Sequence, residues 1–175
     1  MILAFLFIQY LKSDLYSPFD ENELNELKSN IENTQLLPQK FIKTFNKVNE
    51  ITNTNGKFFD GLRGTSNKVC PCLYVSRMSF ELYNSRIKTN TYVLSWKLEK
   101  DFSQEKCLSY FAQIYDFANE NIGIENASNF YFQKKLEDLN DEEMSILVLV
   151  MKNSSLYNPL RNMEGIKKRL EEINN

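Results

Sequence analysis

Histidine is absent from the 175 residues, and that absence closes off a large part of catalytic chemistry. No Ser-His-Asp or Cys-His pair, no two-histidine zinc site and no imidazole proton shuttle can be assembled. Carboxylates and lysines remain as acids and bases, but no pair of them stands out. Asp141, Glu142 and Glu143 follow Asn140 directly and read as an acidic first helical turn favoured by the helix dipole. Cysteine is scarce and odd in number, three in all, too few for a disulfide framework. The Cys70-Pro71-Cys72 pair has only Cys107 as a further thiol partner, so the expectation is buried, reduced cysteine with no metal and no cofactor. Repeats and low-complexity tracts are also missing. The apolar run Ile2 to Ile8 is too short to cross a bilayer as a helix. It lacks the basic flank and small-residue cleavage site of a signal peptide. Its continuous apolar character fits a central strand buried on both faces, with a short secretory signal as the rival reading.

What is present is enough apolar material for a core: 42% of residues are hydrophobic and 13% aromatic, which suits one folded domain. Charge is unevenly spread. Residues 1–37 carry a net −4, residues 38–106 a net +6 and residues 107–175 a net −4. A basic middle can attract nucleic acid or anionic lipid, or can simply fold against the acidic ends.

Periodicity supplies the elements. Tyr92, Leu94, Trp96 and Leu98 alternate with Thr91, Val93, Ser95 and Lys97, and Tyr74, Met78, Phe80 and Leu82 alternate in the same way upstream. A period of two predicts half-buried strands, and Asn84 to Asn90 supplies the turn of an antiparallel hairpin. Asp101 and Gln104 then form a helix start signal. Cys107, Leu108, Phe111, Ala112, Ile114, Tyr115 and Ala118 follow at helical spacing, with Gly123 just beyond. Further helices are predicted after Ser17-Pro18, from Pro38 to Ile51, and from Asn129 to Leu139. Met144 to Met151 reads as a buried helix after an Asn140 cap, with a short strand as the alternative. Asn158-Pro159 opens a last helix with Leu160, Met163, Ile166, Leu170 and Ile173 on one stripe, a spacing that suits docking on a partner or back on the domain.

The order strand (2–10), helix (38–51), strands (69–75, 78–84, 91–99) and helices (102–121, 129–139) resembles the longin domain. Met78-Ser79-Phe80, Tyr92-Val93-Leu94, Leu108 to Phe117 and Asn129-Phe130-Tyr131-Phe132 carry that likeness. The longin domains of ER–Golgi vesicle R-SNAREs are the most similar. The resemblance implies an α+β, profilin-like fold, an antiparallel sheet of about five strands flanked by helices. It would span residues 1–139, with insertions near 13–37 and 55–68, and residues 140–175 would form a helical C-terminal extension.

It also implies a non-enzymatic protein-binding module of vesicle transport. Its partners would be SNAREs, coat or tether subunits or a small GTPase, and its location cytoplasmic, with peripheral attachment to ER or Golgi membranes. Phe41, Phe45 and Val48 lie on the helix corresponding to the family's docking helix, and Leu160, Met163, Ile166 and Leu170 offer a second docking stripe. Two alternatives stand beside this one. In an RNA- or single-strand-binding module, Lys68, Arg77, Arg86, Lys88, Lys97 and Lys100 would hold phosphates while Tyr74, Tyr83, Tyr92 and Trp96 stack bases. A small inhibitor or immunity-type protein would instead cap one partner.

Overall fold

The computed structural model describes residues 2–64, 68–82 and 90–174. Every regular element among them is helical: α1 (Ile2–Lys12), α2 (Glu21–Asn33), α3 (Gln39–Val48), α4 (Thr54–Leu62), α5 (Pro71–Leu82), α6 (Thr91–Asp101), α7 (Gln104–Ile114), α8 (Ile124–Phe132), α9 (Asp141–Lys152) and α10 (Met163–Asn174), with a 3-10 turn at Leu136–Asp138. The expected α+β fold with its five-stranded sheet is therefore overturned: among the described residues there is no strand longer than an isolated bridge such as Asp116 with Ile122.

Each misread segment has a physical reason. In α5, Cys72, Leu73, Val75, Ser76 and Ser79 are all fully buried, a set that only a helix gathers on one face. The serines disguise it. Ser76 donates to the Cys72 carbonyl at 2.9 Å and Ser79 to the Val75 carbonyl at 2.8 Å, so each hydroxyl is satisfied by its own helix and needs no water. In α6 the six successive residues Val93 to Leu98 are buried. A helix enclosed on all sides has no amphipathic period, and the strand-like alternation filled that gap. The expected hairpin turn lies, apart from Asn90, outside the described residues. The run Ile2 to Ile8 forms α1 instead of a central strand, with Leu3, Phe5, Leu6 and Phe7 exposed. No described helix is long and apolar enough to cross a membrane.

Residues 1–34 and 52–110 form one compact unit, and residues 35–51 and 111–175 a second. In the first, α5 packs chiefly on α6, and α1 and α4 also contact α6. A disulfide joins Cys72 of α5 to Cys107 of α7, with Cα atoms 4.9 Å apart. This corrects the expectation of three reduced thiols, because a helical α5 brings Cys72 against the first turns of α7. Only Cys70 remains a free thiol. The start of α7 is also shifted: α6 runs on through Asp101, and Ser103 Oγ accepts the Lys106 N–H at 3.2 Å.

In the second unit α3 packs on α9. Phe41, Ile42 and Phe45 are buried on α3, and Met144, Leu147 and Val148 on α9. The start of α9 is a capping box: Asn140 Oδ1 accepts the Glu143 N–H at 2.8 Å while Glu143 Oε2 accepts the Asn140 N–H at 2.9 Å. The turn between α7 and α8 is tight. Ala118, Asn119 and Glu120 have φ of 72°, 56° and 63°, a left-handed run that non-glycine residues adopt only when their surroundings impose it. Asp116 Oδ1 accepts the Ala118 N–H at 2.8 Å, and the Tyr131 hydroxyl donates to the Phe117 carbonyl at 2.7 Å. Gly123 closes the turn at φ 89°, where a Cβ would stand 3.0 Å from the Gln113 carbonyl oxygen.

Candidate functional site

Among the described residues, six titratable side chains converge on one cleft of the first unit. The cleft, of about 520 Å³, is lined by Asp14 from the α1–α2 connection, Glu21 and Lys28 from α2, and Lys97, Lys100 and Asp101 from α6. The α6 residues share a face because they stand three and four apart on one helix. Lys100 Nζ donates to Asp14 Oδ1 at 2.7 Å, and Lys28 Nζ reaches Asp101 Oδ2 at 2.6 Å. Lys97 is the unusual member: its side chain is only 6% exposed, its amine donates to the Ser13 carbonyl at 3.3 Å, and Asp14 stands 3.9 Å away.

Burial pulls the Lys97 amine below the ordinary lysine range, and Asp14 opposes that pull only in part. The Lys100 hydrogen bond holds the Asp14 carboxyl below its ordinary value. A lysine whose folded-state pKa is lowered binds fewer protons than in the unfolded chain, so stability rises with pH from that lowered value up to about 10.5. Lys97→Met should flatten this rise, seen as a smaller gain in the urea midpoint between pH 7 and pH 10. An unchanged gain would show that the amine is as well solvated as a surface lysine.

Beside the cleft, Glu99 Oε1 accepts the Thr54 N–H at 2.7 Å, the Gln104 side-chain amide at 2.6 Å and the Cys70 thiol at 3.5 Å. Gln104 Oε1 in turn accepts the Cys72 N–H at 3.1 Å. Thr54 Oγ1 and Ser95 Oγ are 2.6 Å apart. This cluster ties the start of α4 and the N-terminal ends of α5 and α7 to the C-terminal half of α6, and so fixes the wall that carries Lys97 and Asp101. In the second unit a smaller cleft of about 360 Å³ is lined by Lys47, Asp141, Glu142, Ser145, Lys167 and Glu171, among others. Its charged side chains are all exposed. Water screens them, so they hold a ligand's charge more weakly than the buried Lys97 amine would.

The residues singled out from the sequence are dispersed. Phe41 and Phe45 are core residues, Val48 is half-buried, Leu160 and Met163 are exposed, and Ile166 and Leu170 are buried. No single exposed face holds them. Of the proposed base-stacking set, Trp96 is buried and Tyr74 and Tyr92 are half-buried. Trp96 and Tyr92 pack with Phe58, and Lys12 sits 4.9 Å over the Trp96 ring. Tyr83, Arg86 and Lys88 lie outside the described residues. Lys97 and Lys100 do line the cleft, whereas Asp14, Glu21 and Lys28 escaped notice and Asp101 was read only as a helix start. The one signal for them was Lys97 itself, a lysine set in the apolar stretch Tyr92 to Leu98. Among the described residues no group of three His, Cys, Asp or Glu side chains is arranged to hold a metal.

Comparison with known proteins overturns the trafficking reading. The family model described as Transglycosylase matches residues 74–175, more than half of the chain. Penicillin-binding protein 1F of Bacillus subtilis is 34% identical over 87 residues, which is 49% of this chain and 12% of that protein. Penicillin-binding protein 4 of the same organism is 32% identical over 79 residues, 45% of this chain and 13% of that one. Penicillin-binding protein 1A of Neisseria gonorrhoeae is 37% identical over 89 residues, 50% of this chain and 11% of its own length. The chain thus spans about an eighth of the length of these relatives. They are bacterial, and bacteria have neither ER nor Golgi, so the expected cytoplasmic location on those membranes falls. With it fall the longin assignment, the SNARE, coat, tether and GTPase partners, and the non-enzymatic role in vesicle transport. The nucleic-acid and inhibitor alternatives gain no support either. The likeness rested on an order of elements that included strands the fold does not have, and the matched segment lies on α5 to α10. The chain belongs to the transglycosylase family.

Proposed function

We propose that this chain transfers glycosyl units in the building of peptidoglycan at the bacterial cell envelope. The match of residues 74–175 to the transglycosylase family carries the reading, and its likeness to three penicillin-binding proteins supports the setting. The reaction is a displacement: an acceptor hydroxyl forms a new C–O bond at the anomeric carbon of the donor sugar, the bond to the leaving group breaks, and the hydroxyl proton passes to a base. With no histidine in the chain, a carboxylate is the natural base. Asp14 suits the role poorly, because the Lys100 ammonium lowers its affinity for a proton. Asp101 is engaged as well, in an ion pair with Lys28 at 2.6 Å, so we assign proton acceptance to Glu21, the remaining carboxylate of the cleft. Lys97 and Lys28 face the same space and would offset negative charge on the departing group.

The test is incorporation of labelled peptidoglycan precursor into glycan strands by the purified chain, resolved by gel electrophoresis. The wild type should make strands. Glu21→Gln should slow it by about 100-fold or more, the usual contribution of a positioned base, with helical circular dichroism unchanged, and Asp101→Asn, which removes the partner of Lys28, should slow it less. Strand synthesis unaffected by both substitutions would move the site elsewhere, and no synthesis by the wild type would sink the enzymatic reading.

A further inference from the structure

The three cysteines lie in one part of the first unit but in different chemical states. Cys70, Cys72 and Cys107 are all fully buried, and three pairings are open to them on sequence alone. The Cα atoms of Cys72 and Cys107 stand 4.9 Å apart, within the range that a cystine spans without moving the backbone. Cys70 is otherwise engaged. Its thiol lies 3.5 Å from Glu99 Oε1, 3.7 Å from Gln104 Oε1 and 3.6 Å from Thr54 Oγ1, and the two side-chain carbonyl-type oxygens can only accept from it.

We propose that Cys72 and Cys107 are a modification site: a cystine installed by a disulfide-donating oxidant, needed for α5 and α7 to hold the polar cluster around Glu99, with Cys70 excluded from the exchange. The chemistry balances. One of the two thiolates attacks the oxidant's disulfide, forming a mixed disulfide and releasing one of the oxidant's sulfurs as a thiol. The other cysteine then displaces the second sulfur. The chain loses two protons and two electrons, and the oxidant is reduced to a dithiol. Exclusion of Cys70 follows from its surroundings. Burial above all, with the Glu99 carboxylate beside it, pushes the thiol above its ordinary value, so little of it is the attacking thiolate. Glu99 and Gln104 further hold the S–H in a donor role.

A cystine at 0% exposure is built during folding and survives only where thiols are not kept reduced. This does not rest on the enzymatic reading, and its test does not use activity. The full chain is refolded from guanidinium in a glutathione redox buffer, quenched with acid, then alkylated with iodoacetamide under denaturing conditions and weighed. One alkyl group on Cys70 is expected without reductant and three after it. Unreduced digests should contain the Cys72 and Cys107 peptides joined. Cys70→Ser should give the same cross-link and no alkyl group without reductant. Three alkyl groups on the unreduced wild type, or a cross-link through Cys70, would overturn the proposal. So would a Cys70→Ser chain that no longer oxidises.

Discussion

Phe41→Ala should lower the unfolding free energy by about 3–5 kcal/mol, the cost of emptying a fully enclosed aromatic site. Phe41 is 0% exposed. It lies on α3, whose buried face packs on α9, and α9 in turn buries every residue from Ile146 to Met151. A helix so enclosed has little freedom to relax into the space a lost ring leaves, which puts the cost in the upper part of the range for large-to-small changes. Leu160→Ala is the matched control. At 67% exposure it should shift stability by less than about 0.5 kcal/mol. Urea unfolding followed by circular dichroism measures both. A Phe41→Ala cost below about 1 kcal/mol would mean that the ring sits on a surface, as a docking face requires, and that the α3–α9 packing is looser than described.

The contrast between α3 and α5 shows what sequence pattern can and cannot reveal here. On α3 the apolar residues Phe41, Ile42, Phe45 and Val48 recur at helical spacing and the remainder are polar, so the helix was legible and so was its buried face. What that face meets was not, because a buried stripe looks the same whether it packs on α9 or on another protein. On α5 the buried face contains two serines satisfied within the helix, and binary patterning counts them as solvent-facing. On α6 burial on all sides erased the period. In α9 local chemistry tipped the reading from a short strand to a helix: the Asn140 cap and the acidic turn Asp141 to Glu143 are signals independent of any period.

The cleft was legible only through Lys97 and Lys100, both given to phosphate binding. Lys97 in an apolar stretch was visible. Its companions Asp14, Glu21 and Lys28 precede it by about 70 to 80 residues, and nothing local joins an acidic N-terminal segment to a later helix. The disulfide was hidden for a related reason. Reading residues 69–75 as a strand left nothing to bring Cys72 to Cys107, whereas the helix starting at Pro71 brings it to the first turns of α7. An error of element type thus became an error of chemistry: the strand reading of residues 69–75 hid the cystine.

Breaking that cystine should produce the second large effect. The bond closes a loop with a sequence separation of 35, and restricting an unfolded chain by a loop of that size stabilises the native state by about 3–4 kcal/mol. For a chain of this length that corresponds to a fall of roughly 8–15 °C in Tm when Cys72 and Cys107 are both replaced by serine. The loss should be local as well as global. The Cys72 N–H is held by Gln104, which also donates to Glu99, so freeing α5 from α7 weakens the brace beneath Lys97 and Asp101. Hydrogen exchange should therefore quicken first in the backbone amides of α5 and in Thr54, whose N–H is held by Glu99. Cys70→Ser, which keeps a donor at the same place, should leave Tm within about 2 °C of the wild type, since small, hydrogen-bonded substitutions shift stability little. The measurement is a thermal melt of the wild type with and without dithiothreitol beside the two variants. Equal melting temperatures in all four would show that the bond closes no loop the folded chain needs. A fall in the reduced wild type that Cys72→Ser/Cys107→Ser reproduces and Cys70→Ser lacks would identify this cystine as the tie between α5 and α7.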